Sequence, residues 1–147
     1  MRQSEAAVAL IRRQQDDQTH WLAQWNPKWQ AYHFVSGHRR HDETFRDCLV
    51  REIEEELHLS EGTDYRVSAE DPTHLEFMAF SQSTQTETRY VMELFNVELS
   101  SGAHPRVAAD PANRWLTEAE IEAGQTQDGR PVSATMKRLL GVIIRKT

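Results

Sequence analysis

Apolar residues along the chain fall into short blocks, and the spacing within each block predicts its element. Residues 5–13 (EAAVALIRR) form an apolar run with polar flanks and predict a strand. Residues 20–25 (HWLAQW) predict a second, closed by the turn signal Asn26-Pro27-Lys28. Residues 31–35 make a short extended segment leading to Gly37. Helical spacing sets in over residues 43–57, with Asp42 as the expected N-cap. After a loop at 60–64, residues 65–68, 74–81 and 88–99 read as strands, the last two the most apolar. Residues 100–113, with Gly102, Pro105 and Pro111, read as irregular. Thr117 and Glu120 form a T-x-x-E capping box for a short helix through Glu122. Ser133 caps a final helix in which Met136, Leu139, Leu140 and Ile143 share a face. Strands on both sides of one long helix, with a terminal helix to cover the sheet, predict a mixed α/β fold in a single domain over residues 1–147.

The long helix holds the unusual charge pattern. Leu49, Val50, Ile53 and Leu57 form its apolar arc, and Glu52, Glu55 and Glu56 lie beside that arc at i, i+3 and i+4. Glu54 points away, toward solvent. Glutamates at this spacing repel by about 0.2–0.5 kcal/mol per pair, and near a helix C-terminus they also oppose its dipole. A cation resting on the three carboxylates converts both penalties into binding energy. Hard divalent ions such as Mg²⁺ or Mn²⁺ suit oxygen ligands, and Mg²⁺ commonly shares such ligands with substrate phosphates. Arg51, four residues before Glu55, is placed to orient a carboxylate. Charge alone favours a solvated helix face over a metal site; the wider spacing reverses that.

Counting from Gly37, five residues precede Glu43 and seven more precede Arg51, after which Glu52, Ile53, Glu55, Glu56 and Leu59 follow. This resembles the Nudix box, G-x5-E-x7-R-E-U-x-E-E-x-G-U with U aliphatic, at every defining position except the last glycine, which is His58 here. Trp115-Leu116-Thr117 followed by Glu118-Ala119-Glu120-Ile121 resembles the short segment that often follows the family's last strand, and PVSATMKRLL resembles its C-terminal helix. The resemblance implies an α/β/α sandwich around a mixed β-sheet. It also implies divalent-metal-dependent hydrolysis of a nucleoside diphosphate linked to another group. Carried over by position, Glu52, Glu55 and Glu56 are the metal ligands, with Glu52 also a candidate base. The Gly37 carbonyl adds an oxygen, and Arg51 and Glu43 support the set. The loop entering the box reads Val35-Ser36-Gly37 rather than the frequent Pro-Gly-Gly. Many members draw a further glutamate from the loop before the strand ending in tryptophan. Here that stretch, AHPRVAADPANRW, offers Asp110 and no glutamate. Asp110, Glu93, Glu76 and Glu52 therefore stand as alternatives for the base.

Composition narrows the partners. A formal net charge of −6 argues against broad binding to nucleic acid or acidic membranes. No run of 18 apolar residues exists to span a bilayer, and the N-terminal stretch does not read as a secretory signal. The lone Cys48 excludes an internal disulfide, suits a reducing cytoplasm and reads as a small apolar core residue. Arg39, Arg40 and His41 precede the helix, where guanidinium groups can clamp phosphates or serve simply as exposed loop charge. Trp29 and Tyr32, with Trp25, surround the Asn26-Pro27 turn and can stack on a base or pack the sheet edge. Glu76 and Glu93 interrupt apolar strands and are either site residues or exposed edge charges. Two other classes compete with the hydrolase: a catalytically weak Nudix-like nucleotide-binding or regulatory module, and an isoprenyl diphosphate isomerase-like enzyme. The second needs a catalytic cysteine, and Cys48 lies inside the box helix. The strands and terminal helix leave room for a homodimer.

Overall fold

The computed structural model describes residues 2–81 and 84–145. In chain order the elements are β1 (Arg2–Gln15), β2 (Gln18–Asn26), β3 (Ala31–His33), β4 (Ser36–His38), α1 (Phe45–Leu57), β5 (Tyr65–Val67), β6 (Thr73–Ser81), β7 (Thr86–Leu99), α2 (Ala103–Ala109), β8 (Asn113–Thr117), α3 (Glu118–Ala123) and α4 (Ala134–Arg145). The fold is mixed α/β, as the hydrophobic pattern predicts. The chain clusters into two compact units, Met1–Leu10 with Val35–Ala103 and Ile11–Phe34 with His104–Thr147.

In the first unit, Ala6 through Leu10 of β1 are buried without alternation, the mark of a strand covered on both faces. β4 runs antiparallel to it, with Ala7 opposite Gly37. β7 pairs antiparallel with β5 and with the whole length of β6. Helix α1 buries Cys48, Leu49, Ile53 and Leu57. Cys48 is buried as expected, whereas Val50 of the expected apolar arc is only half-buried. The N-cap is Thr44 rather than Asp42. The Thr44 hydroxyl accepts from the Asp47 N–H at 3.0 Å and the Asp47 carboxylate accepts from the Thr44 N–H at 3.3 Å, a reciprocal capping box that starts the helix two residues later.

The helix ends on His58 in the left-handed region, φ 57° and ψ 41°, with its N–H donating to the Glu54 carbonyl at 3.0 Å. A side chain with a Cβ is strained there, whereas glycine is not. His58→Gly is expected to raise stability by about 0.5–1 kcal/mol, read as a higher denaturant midpoint at an unchanged m-value.

The second unit is organised on β2, which pairs antiparallel with β3, with the last residues of β1 and with β8. The stretch at 100–113 is not irregular throughout: it contains α2, whose Pro105 lies in the first turn, where a missing N–H costs no helical bond. Trp115, Leu116 and Thr117 belong to the last strand itself rather than following it. The Thr117–Glu120 capping box and the Ser133 cap form as predicted, the latter with the Met136 N–H donating to Ser133 Oγ at 3.0 Å. Met136, Leu139 and Leu140 are buried while Ile143 is half-buried. No helix among the described residues is long and apolar enough to cross a membrane.

His33 on β3 is 4% exposed, with Nδ1 2.8 Å from Ser133 Oγ. Because that hydroxyl already accepts from Met136, its proton is available to a neutral imidazole. Burial lowers the His33 pKa to about 4. The unfolded chain, with an ordinary histidine near 6.5, therefore binds the proton first as pH falls. The stability this neutral histidine contributes is full above pH 6.5 and declines toward pH 4, by up to about 3 kcal/mol. A His33→Gln variant should flatten that slope in urea melts taken across the interval.

Candidate functional site

The site in the first unit is assembled by one arginine. Arg51 on α1 donates from Nε to Glu43 Oε2 at 2.6 Å and from Nη2 to Glu43 Oε1 at 2.9 Å, a two-pronged pair. Its Nη1 reaches Glu52 Oε1 at 2.8 Å and Glu55 Oε2 at 3.5 Å, and its Nη2 also reaches the His38 carbonyl at 3.0 Å. The fork ties the loop after β4 to the helix and fixes the side on which Glu52 emerges. Arg51 and the Arg40 N–H hold the Glu43 carboxyl down at about 2, and Glu43 in turn raises the Arg51 pKa. Glu43 is therefore a fixed anion that keeps the guanidinium in place.

Glu52 is different. Its side chain is 12% exposed and burial pushes its pKa up, against the opposing pull of Arg51. The carboxylate lies against Gly37, where a Cβ would overlap Glu52 Cγ, Cδ and Oε1. Gly37 does not have a positive φ, so close approach, not backbone conformation, is what calls for glycine here. The Cys48 thiol donates to the Gly37 carbonyl at 3.4 Å, and burial raises its pKa, keeping it protonated. Glu55 is half-exposed, 4.0 Å from Arg40 Nη2, and Glu56 is exposed.

Among the described residues, no group of three or more His, Cys, Asp or Glu side chains stands at metal-holding distances. The chemistry of the donor set nonetheless fits a hard divalent ion. A carboxylate whose charged form is disfavoured by burial gains from a cation beside it, and the cradle against Gly37 keeps the approach narrow.

A model of the NUDIX domain matches residues 1–139. The chain belongs to the Nudix family. It is a hydrolase acting on phosphoric anhydrides. No curated protein matches the sequence. Among solved structures, the C. elegans Ap4A hydrolase is 16% identical with a TM-score of 0.64, covering 99% of this chain and 98% of that one. The M. smegmatis Nudix hydrolase RenU is 18% identical with a TM-score of 0.59, covering 96% and 86%. The NUDIX domain of Shewanella oneidensis NrtR, solved in complex with ADP ribose, is 13% identical with a TM-score of 0.64, covering 100% and 90%. At these identities the likeness is one of fold.

The structure sorts the other residues of the Nudix reading. Arg39 is committed elsewhere: it donates to Glu5 Oε1 at 2.6 Å and to the Glu43 carbonyl at 2.7 Å, and lies over Phe45. Nothing in the sequence signals Glu5 as its partner. Arg40 keeps a 63% exposed side chain. Glu93 and Glu76 each accept from His74 at 2.7 Å, and Glu76 also pairs with Arg89, so both have local ionic partners on the β6–β7 ribbon. The Asp110 carboxylate accepts from the Ala112 N–H at 3.0 Å, which shapes the turn into β8. In the second unit Tyr32 is 1% exposed, flanked edge-on by Trp25 and bonded through its hydroxyl to Arg130 at 3.0 Å, which leaves no face for a base. Trp29 is 50% exposed and rests edge-on against His33.

Proposed function

We propose that the chain is a divalent-metal-dependent pyrophosphohydrolase, a single Nudix domain over residues 1–147 that cleaves the diphosphate linkage of a nucleoside diphosphate derivative. The observation that carries this reading is the Glu52 carboxylate, half-buried against Gly37 and oriented by the Arg51–Glu43 fork. Glu52, Glu55, Glu56 and the Gly37 carbonyl would hold Mg²⁺ or Mn²⁺, which when bound neutralises phosphate charge and lowers the pKa of water. Arg51 keeps Glu52 aimed, Arg40 meets a phosphate oxygen, and Glu52 takes the proton from the attacking water. Of the four candidates Glu52 is the one on α1 that lies against Gly37, beside the other proposed ligands, which favours it as the base.

The test is product release from a panel of nucleoside triphosphates, sugar nucleotides, ADP-ribose, dinucleoside polyphosphates and capped RNA ends. Turnover is expected with Mg²⁺ or Mn²⁺, to disappear under chelation and to return on adding the metal back. Glu56→Gln should slow it by on the order of a hundredfold. An unchanged rate in that variant defeats the ligand assignment. Tight nucleotide binding without turnover under either metal favours the binding-module alternative.

A further inference from the structure

Helix α1 meets β4 through two consecutive carbonyls of the strand. The Cys48 thiol donates to the Gly37 carbonyl at 3.4 Å, and Arg51 Nη2 donates to the His38 carbonyl at 3.0 Å. Cys48, Arg51 and Glu52 stand at i, i+3 and i+4 on α1, on the side that faces the strand. Within that group the two donors are themselves in contact, Arg51 Nη2 lying 3.8 Å from Cys48 Sγ. Gly37 is therefore gripped twice by one helix, by the thiol at its carbonyl and by the Glu52 side chain across its Cα. On its other side it is paired with Ala7 of β1.

The grip answers a physical need. β4 is three residues long, and its middle residue is a glycine, the residue that loses most backbone freedom on ordering. Glycine is required there to leave room for Glu52, yet the room is useful only if the Gly37 peptide keeps one orientation. Packing alone would be met by any small apolar side chain at position 48. A thiol adds a directed donor, weak but aimed at the peptide that has to be held. We propose that Cys48 is a positioning residue for the metal-dependent reaction: its S–H fixes the Gly37 peptide and thereby the gap from which the Glu52 carboxylate meets a divalent ion. The thiol touches neither substrate nor metal and acts through Gly37. This role rests on the function proposed above in taking Glu52 as a metal ligand.

The chain has a single cysteine, so the protein has one S–H infrared band, and that band reads the contact without turnover. In the wild type the band is expected to move when Mg²⁺ is added and to stay in place when NaCl of the same ionic strength replaces it. In Glu52→Gln it should not respond to Mg²⁺. Cys48→Ala keeps a small apolar side chain and removes the donor. Its half-saturation by Mn²⁺, followed by electron paramagnetic resonance without substrate, should rise by about three- to tenfold, a modest effect because a thiol is a weak donor. Leu49→Val is the packing control: it removes buried volume from the same helix and no hydrogen bond, and should lose thermal stability while binding Mn²⁺ within about twofold of the wild type. Where Cys48→Ala folds poorly, the infrared comparison of the wild type with Glu52→Gln decides alone. A band that ignores Mg²⁺, a response that survives in Glu52→Gln, unchanged Mn²⁺ binding in Cys48→Ala, or equal weakening in Cys48→Ala and Leu49→Val each overturns the role. A responsive band without cleavage of any anhydride refutes the proposed hydrolase and leaves the role standing. Cleavage with a band that ignores Mg²⁺ does the reverse.

Discussion

Glu52→Gln is expected to lower kcat/KM by on the order of 10²–10⁴ while leaving the fold intact. The amide has the shape of the carboxylate and keeps an oxygen for the Arg51 Nη1 donor, which stands 2.8 Å away in the wild type. The two-pronged Arg51–Glu43 pair does not involve the changed group, so the loop after β4 stays tied to α1. What disappears is a charge in a half-buried cradle, where a cation gains most from it, together with the group that takes the proton from water. The matched control is Glu54→Gln on the same helix, exposed and off the cluster, which should change kcat/KM by less than about twofold. Steady-state kinetics at saturating Mg²⁺, alongside near-ultraviolet circular dichroism of each variant, read the two effects separately. Near wild-type activity in Glu52→Gln would falsify its assignment both as ligand and as base.

The contrast between Glu52 and Glu54 was legible in the sequence, because a helix of known phase fixes which carboxylates share a side. Spacing likewise placed Gly37, Glu43 and Arg51 in one constellation. Elements with strong periodicity, such as α1, β6 and β7, emerged with boundaries within two residues. The misses have local causes. Thr44 displaced Asp42 as the cap because Asp47 reciprocates it, a contact that depends on which residue leaves the helix first. Helix α2 is too short, and too marked by Pro105, for its period to show. Trp115 reads as a family signature in the sequence, but only the register of β2 against β8 brings it beside Arg13. The partners of Arg39 and Glu93 come from distant or cross-strand positions, Glu5 and His74, and pairing across a fold leaves no periodic trace. Tyr32 carries an aromatic ring at a turn, and only packing reveals that Trp25 and Arg130 already occupy it.

Gly37→Ala is expected to cost about a hundredfold in kcat/KM, although alanine is an ordinary residue for this backbone. The φ of Gly37 lies outside the left-handed region, so the substitution brings no conformational strain of its own. The added methyl instead takes the space of the Glu52 Cγ, Cδ and Oε1 atoms. The β4 backbone is fixed by its pairing with β1, Ala7 opposite Gly37, so the side chain has to yield rather than the strand. Glu52 then leaves its cradle and its contact with Arg51, and a displacement near 1 Å at a reacting group is enough for an effect of this size. The same movement separates the Glu52 carboxylate from the Gly37 carbonyl, so the Mg²⁺ needed for half-maximal activity should rise by about tenfold or more. Thermal stability should change less than activity, because Arg51 retains Glu43 and the His38 carbonyl. Metal titration of Gly37→Ala beside Glu52→Gln separates misplacement from loss of charge: raising Mg²⁺ should recover part of the rate in the first variant and little in the second. Full activity in Gly37→Ala at ordinary Mg²⁺ would show that Glu52 does not work from the position the fold gives it.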